Sequence, residues 1–166
     1  MAWLKSLVDK AAGAVQRVDE AFSNNAVLLD VERSIQLDGW SCGAQSGYML
    51  LRHFGKARSV DATARALGTD EEGTSESSLL RLFRQRRLEV RVRKRATLSD
   101  LRRGIDRDAL SLVSMDDGSH WAIVYGYSVG KIFVADPSLL KSVGVGLTVG
   151  DFEHRWDHWA AIVSKK

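Results

Sequence analysis

A single cysteine, Cys42, lies in the stretch SIQLDGWSCGAQSGYMLLRHFGK, residues 34–56. The apolar spacing after it predicts a helix that Gly55 ends, which puts the thiol in the first helical turn. Backbone N–H groups and the positive end of the helix dipole stabilise a thiolate there. The neighbouring Gly39 and Gly43 would let a substrate backbone come close. Lone cysteines are more often buried core residues, so the choice between core residue and nucleophile depends on the partners of Cys42.

A nucleophilic thiol needs a general base, and the chain offers four histidines. His53 is excluded because it lies 11 residues along the same helix, roughly 16 Å from Cys42 at 1.5 Å per residue. His120 follows the turn MDDGS and opens the predicted strand HWAIVYGY, so it is our choice of base. His154 and His158 are interpreted as structural, since two histidines without further clustered ligands do not predict a metal site.

An acid and an amide complete the predicted set. Asp136 ends the strand KIFVADP, 16 residues after His120. A hairpin through SVGK would return its carboxylate to the histidine, where it can hold the tautomer and support the positive charge. The following Pro137 biases Asp136 toward an extended backbone. Gln36 and the Cys42 N–H are predicted to donate to a developing oxyanion.

The elements that position these residues follow from apolar spacing, caps and turns. The pattern predicts helices at residues 60–67 and 75–87, the first ended by Gly68. A strand is predicted at LEVRVRKR and a helix at TLSDLRRGI, where Thr97 and Asp100 have capping-box spacing. Four apolar runs then predict a largely antiparallel sheet: ALSLVSM, HWAIVYGYS, KIFVADP and DHWAAIVSK. Helices first and strands second predict an α+β domain, residues 26–166, with a helical half packed against the sheet.

Residues 1–25 are predicted to form an N-terminal helical extension. Six apolar residues recur at intervals of three and four, which places them on one side of a helix of about six turns. They are Trp3, Leu7, Ala11, Ala14, Val18 and Phe22. Such an amphipathic helix could dock on the domain, hold a partner or lie on a membrane surface. Docking is our interpretation, because the polar face carries charges of both signs rather than the Lys and Arg of a membrane-surface helix.

The composition fits one globular domain, with 166 residues, 45% hydrophobic and 27% charged. One cysteine forbids an internal disulfide, and no apolar run resembles a signal peptide or a spanning helix. A soluble cytoplasmic protein is therefore expected. The net charge is +3, but residues 81–107 hold 11 Lys and Arg against 3 Asp and Glu, giving +8. No nucleic-acid motif accompanies this band, so we interpret it as a solvated surface, expect no nucleic-acid partner and leave an acidic peptide open.

In chain order, Gln36, Cys42, His120 and Asp136 resemble the catalytic set of papain-like cysteine peptidases. Residues 32–163 resemble the C39 family, the double-glycine leader peptidases that form the N-terminal domain of bacteriocin-exporting ABC transporters. The motifs that carry the resemblance are Q-x5-C-G followed by YMLLRHFGK, then GTSESSLLRLFRQRRLEVRV, HWAIVYGY, VADPS and FEHRW. It implies a papain-like fold and no cofactor or metal.

The resemblance implies an endopeptidase that cuts a peptide or protein substrate after a Gly-Gly pair. The leader of that substrate would bind as an amphipathic helix in a hydrophobic groove. By position, Cys42 would be the nucleophile, His120 the base, Asp136 the orienting acid and Gln36 the oxyanion donor.

Small substrate residues would need a narrow channel, for which Trp40 and Trp121 are the expected walls. No spanning segment and no GxxxxGK[ST] loop is found, since GYSVGKI is one residue short and lacks the Ser or Thr, so a stand-alone domain without the transporter is expected. The added helix and the AQSGY after Cys-Gly depart from the family's pattern and leave the substrate open. Two alternatives remain: a catalytically silent leader-binding module and another thiol acyl-transfer enzyme.

Overall fold

The computed structural model describes residues 2–138 and 145–166. These residues form one antiparallel sheet of seven strands with helices on both of its faces. In chain order the elements are α1 (Ala2–Ala21), β1 (Val27–Leu28), α2 (Cys42–His53), α3 (Val60–Leu67), α4 (Glu76–Gln85), β2 (Leu88–Arg93), α5 (Leu98–Ile105), β3 (Leu110–Met115), β4 (His120–Ser128), β5 (Lys131–Ala135), β6 (Gly146–Thr148), α6 (Val149–Arg155) and β7 (Trp156–Lys165). The predicted α+β class is confirmed.

The sheet has the strand order β2-β7-β3-β4-β5-β6, and β1 pairs with β4. Every paired neighbour is antiparallel. The four predicted apolar runs are β3, β4, β5 and β7. Strand β3 is buried along its whole length, because helices cover both faces of the sheet, and it therefore reads as an apolar run rather than an alternation. The strand β6 and the helix α6 were not predicted.

Each face of the sheet carries its own apolar core. Leu50 of α2 and Phe83 of α4 belong to the core on one face. Leu101 of α5 and Phe152 of α6 belong to the core on the other face. Successive residues of the central strands alternate between the two cores, as the two-residue repeat of a strand requires. The helical half is thus on one face, and two further short helices cover the other.

Local signals set the helix bounds. The side chain of Ser59 accepts a hydrogen bond from the N–H of Ala62 and so caps the start of α3. This helix ends at Gly68, whose φ of 68° is in the left-handed region. The capping box between Thr97 and Asp100 opens α5. The helix end at Gly68 and the capping box, which the sequence predicted, are both confirmed.

Helix α1 docks on the domain through its polar face. The buried side chain of Gln16 donates to the carbonyl of Val31 and accepts from the N–H of Arg33. Asp9 accepts from the N–H of Ile35. Docking was expected from the mixed charges of α1, but the six residues of the predicted apolar side are all exposed to solvent. Among residues 2–138 and 145–166, no helix combines the length and apolar character needed to cross a bilayer.

Candidate active site

Cys42 is the first residue of α2 and is 7% exposed. Its thiol faces the imidazole of His120 and the backbone of Trp121 and Gly43. The preceding Ser41 makes no side-chain cap, so the N–H groups of the first turn remain available to the sulfur. Burial opposes ionisation of the thiol, but these polar neighbours and the imidazole charge hold the pKa of Cys42 below its ordinary value.

His120 is the first residue of β4 and is 4% exposed. Asp116 and Asp117 in the preceding hairpin turn both have a φ of 57°, the backbone form that suits a tight hairpin. The Nε2 of His120 lies 2.7 Å from Oδ1 of Asp136, which leaves Nδ1 for the thiol. Burial alone would lower the pKa of His120, but hydrogen bonds and charges of Asp136 and Cys42 raise it to about 9.

The two shifts favour transfer of the thiol proton to the imidazole. A thiol with a lowered pKa beside an imidazole with a raised pKa favours a thiolate and imidazolium pair. A thiolate, unlike a thiol, is able to attack a carbonyl carbon. An imidazolium beside it is able to donate a proton to a leaving amine.

Asp136 is fully buried and both of its carboxylate oxygens are hydrogen-bonded. Oδ1 accepts from His120 and, at 2.8 Å, from the N–H of Ser138, while Oδ2 accepts from Nη2 of Arg155 at 3.1 Å. Burial opposes its ionisation, but these hydrogen bonds and the charges of His120 and Arg155 keep the pKa of Asp136 below its ordinary value. An ionised Asp136 can therefore hold the histidine tautomer and support its charge.

Arg155 comes from α6, on the other face of the sheet. Its guanidinium also donates to both carboxylate oxygens of Asp116, at 2.9 and 3.0 Å. It thereby connects the turn that precedes His120 with the acid that orients His120. Sequence reasoning noted FEHRW as a motif but missed this function of its arginine.

A second arginine missed from the sequence supports the backbone around the acid. Arg33 is 1% exposed, and its guanidinium donates to the carbonyls of Asp136 at 2.7 Å and Ser138 at 3.3 Å. Close by, the N–H of Gln36 donates to the carbonyl of Pro137 at 2.9 Å. The strand-like segment before the cysteine is therefore joined to the segment that carries the acid.

Gln36 is partly buried at the start of the turn that leads to Cys42. Its Nε2 donates to the carbonyl of Asp38 at 2.8 Å, and the carboxylate of Asp38 accepts from the N–H groups of Trp40 and Ser41. An amide has two N–H groups, so one remains for a ligand. Within the described residues, the Oε1 of Gln36 is buried and has no hydrogen-bond partner. The side chain thus bonds to the turn, and the structure gives it no hydrogen bond to the cysteine, histidine and aspartate side chains.

The three residues predicted to bind substrate lie around the start of α2 in different surroundings. A Cβ on Gly43 would lie 2.5 Å from Cβ of Thr74 and 3.1 Å from Cδ1 of Trp121. The space on the Cβ side of this glycine is therefore filled by protein. Trp121 is half-buried, donates its indole N–H to the carbonyl of Thr74 and packs edge-on against Trp159. Trp40 is 40% exposed.

The other histidines lie apart from this site. Nδ1 of His53 lies 2.7 Å from the carbonyl of Asp30, at the far end of α2. His154 belongs to α6 and His158 to β7, where its ring lies 3.4 Å from the carbonyl of Ala96. In the part of the chain that the structure describes, no three His, Cys, Asp or Glu side chains cluster so as to hold a metal ion.

Comparison with known proteins identifies a family. The model of the peptidase C39 family matches residues 31–166. The chain is also 24% identical, over 122 residues, to the lactococcin-G-processing and transport ATP-binding protein LagD of Lactococcus lactis subsp. lactis. The match covers 73% of this chain and 17% of that protein, so the chain spans only a small part of this curated relative.

Solved structures share the fold. A double glycine motif protease from an AMS/PCAT transporter, in complex with the leader peptide, superposes with a TM-score of 0.70 at 18% identity, over 84% of this chain and 94% of that one. The peptidase domain of Streptococcus ComA gives a TM-score of 0.64 at 19% identity, over 80% and 96% of the two chains. A putative C39-like peptidase from Bacillus anthracis gives 0.66 at 15% identity, over 86% and 99%.

Proposed function

Because the chain belongs to the peptidase C39 family, we propose that it is a cysteine endopeptidase that removes a leader peptide after a Gly-Gly pair. The observation that carries this proposal is that His120 faces the thiol of Cys42 and is hydrogen-bonded to Asp136. A thiolate, a proton donor and a fixed carboxylate are the groups that acyl transfer through a thioester needs.

The proposed reaction has two steps. The Cys42 thiolate attacks the carbonyl carbon of the residue before the cut bond, and the His120 imidazolium protonates the leaving amine as the C–N bond breaks. A thioester and the shortened substrate result. His120, now neutral, takes a proton from water, which attacks the thioester; the leader leaves as a carboxylic acid and the Cys42 thiolate is restored.

The oxyanion of each step is assigned to two donors. One is the backbone N–H of Cys42, at the start of α2, where N–H groups have no partner within the helix. The other is the amide N–H of Gln36 that its bond to Asp38 leaves unused. The bond between Gln36 and Pro137 supports this assignment, because it ties the donor to the segment that carries the acid.

Small residues before the cut bond fit the surroundings of the thiol. Only 7% of Cys42 is exposed, and the start of α2 is packed against Thr74 and Trp121. A bulky side chain at the reacting carbonyl would have to displace these groups, whereas glycine would not. The leader peptide bound to the AMS/PCAT protease supports a leader as the substrate class.

A cleft beside the site is our candidate for the leader. It has a volume of about 520 Å³ and lies between the start of α1, α2 and the start of α3. Leu37 and Asp38, from the turn that leads to Cys42, belong to its lining, and so do Gln45 and Tyr48 of α2. A peptide in this cleft would reach Cys42 along the Gln36 turn.

Mass spectrometry of leader peptides incubated with the protein tests the proposal. The unmutated chain should release fragments that end in Gly-Gly, and peptides with Leu-Leu at that place should stay intact. Cys42→Ala and His120→Ala should abolish cleavage, whereas His53→Ala, at the far end of α2, should retain it. Modified but uncut peptide would indicate another acyl transfer, and binding without either product would indicate a silent leader-binding module.

A further inference from the structure

We propose that α1 is a membrane-surface helix whose apolar face binds a bilayer containing anionic phospholipid. Six large apolar side chains of α1 and the residue after it are at least 40% exposed. They are Trp3, Leu4, Leu7, Val15, Val18 and Phe22. The proposal concerns where the domain is held and does not depend on the proposed proteolysis.

The exposed residues share one face of the helix. At 3.6 residues per turn they fall within an arc of about 120° around the helix axis. At 1.5 Å per residue they extend about 28 Å along the axis. The two aromatic side chains lie at its ends, with Trp3 69% exposed and Phe22 83% exposed. Two further apolar side chains are exposed after α1, Val27 and the 94% exposed Val129 of the β4–β5 turn, and Val27 pairs with Tyr127 at the end of β4.

The helix cannot turn this face inward without losing its docking bonds. Gln16 is bonded to the backbone of Val31 and Arg33. The carboxylate of Asp19 accepts from the N–H groups of Val145 and Gly146, at 2.8 and 3.0 Å. Rotation would leave these backbone groups without their partners, which is costly for buried groups. The apolar face is therefore fixed outward.

The charges of α1 are divided between its faces in the way a bilayer surface favours. Its three acidic residues point to the domain, where Asp9 accepts from Ile35, Asp19 from the 145–146 backbone and Glu20 from the hydroxyl of Tyr125. Of its three basic residues, Lys5 is paired with Asp9. The other two basic side chains are exposed to solvent.

These two exposed cations, Lys10 and Arg17, lie along one edge of the apolar arc. The sequence of α1 contains charges of both signs, but its acidic residues face the domain. The exposed surface of the helix is therefore apolar and cationic. Exposed Trp, Leu and Phe beside Lys and Arg is the pattern of a helix that lies in a membrane interface. Anionic headgroups supply the counter-charge. The α1 of a second copy of the chain would not supply this negative charge, because its acidic residues also point to its own domain.

The position of α1 gives the contact a consequence for the active site. Lys5 donates to the side chain of Ser34, which in turn donates to Gln45 of α2. Asp9 holds the N–H of Ile35, next to the proposed oxyanion donor Gln36. A bilayer bound to α1 would therefore hold the active site close to the membrane surface.

Sedimentation of the full chain with large vesicles tests the proposal. The vesicles contain phosphatidylcholine and phosphatidylglycerol mixed two to one, with phosphatidylcholine alone for comparison. The chain should bind the mixed vesicles, and Leu7→Ser/Val18→Ser and Lys10→Glu/Arg17→Glu should each lower the partition coefficient about tenfold or more. The matched control is Arg93→Glu/Arg107→Glu, which makes the same charge change on a separate basic cavity between β2 and α5. It should bind like the unmutated chain.

Unchanged thermal unfolding will establish that the variants fold, as expected for exposed side chains. Absence of binding to the mixed vesicles would overturn the proposal. So would equal binding by the Leu7→Ser/Val18→Ser variant, or loss of binding in the Arg93/Arg107 variant alone. A dimer in solution that only the Leu7→Ser/Val18→Ser change dissociates, without vesicle binding, would assign the face to a second copy and contradict the membrane assignment.

Discussion

The Nε2 of His120 lies 2.7 Å from Oδ1 of Asp136, and neither side chain is more than 4% exposed. A buried imidazole would ordinarily lose its proton, yet this contact, together with Cys42, raises the pKa of His120 to about 9. Folding thus favours the protonated form of His120. The stability that this form adds to the fold should be present in full below the unfolded pKa of about 6.5 and be lost as the pH rises through about 9.

Urea unfolding in a background without the thiol can isolate the part of this contribution that Asp136 makes. We expect His120→Ala, introduced into Cys42→Ala, to reduce the free energy of unfolding by on the order of 1 kcal/mol more at about pH 6 than at about pH 10, because Asp136 still favours the protonated imidazole. The difference between Cys42→Ala and the double variant cancels the pH dependence that comes from ionisable groups present in both. An equal cost at the two pH values would mean that His120 is not protonated in the fold.

Gln36→Ala should lower kcat without affecting the reactivity of the thiol. Loss of one oxyanion donor costs about 100-fold to 1,000-fold in kcat in comparable sites. The rate of Cys42 alkylation should stay unchanged, because the groups that lower the pKa of the thiol belong to His120, Trp121 and Gly43 and not to Gln36. Gln85→Ala, at the exposed end of α4, is the control and should change neither rate. A kcat within about twofold of the unmutated value would exclude Gln36 as the donor.

Arg33→Met should destabilise the protein far more than Arg52→Met. Removing the buried guanidinium takes one hydrogen-bond donor from each of the carbonyls of Asp136 and Ser138, which we expect to cost about 3 kcal/mol or more of unfolding free energy. Arg52 is half exposed and paired with Glu32, and its loss should cost about 1 kcal/mol or less. Urea unfolding measures both. Equal costs would contradict the structural importance assigned to Arg33.

Two glycines near Cys42 should respond differently to a methyl group. Gly43→Ala places a Cβ 2.5 Å from that of Thr74, so the variant should lose about 1–3 kcal/mol of stability. Gly39→Ala meets no atom within 4 Å and should change stability by less than about 0.5 kcal/mol. Thermal unfolding of the two variants distinguishes these results, and a neutral Gly43→Ala would show that the loop around Thr74 can move away.

Local signals in the sequence predicted most of the elements. The helix that starts at Cys42, the capping box of Thr97 and Asp100 and the left-handed end at Gly68 each depend on residues within a few positions of one another. Helix α6 had such a signal too. Thr148 accepts from the N–H of Asp151, and this pair has the same spacing as the capping box.

Contacts between distant segments could not be predicted in this way. Arg33 and Asp136 are 103 residues apart, and nothing near Arg33 distinguishes it from a surface arginine. A contact between distant segments also decides which face of α1 is exposed. Apolar spacing defines the two faces of a helix, but Asp19 finds its partner 126 residues away at Val145, and that contact decides which face is covered.

The central claim is that Cys42 rests as a thiolate paired with His120. The most direct measurement is the rate of iodoacetamide alkylation as a function of pH, and it reports one site because Cys42 is the only cysteine. We predict a rate already near its plateau well below pH 8, and a His120→Ala variant whose rate rises only around the ordinary thiol pKa of about 8.5. An unmutated chain whose rate rises only near pH 8.5, unchanged by His120→Ala, would contradict the claim.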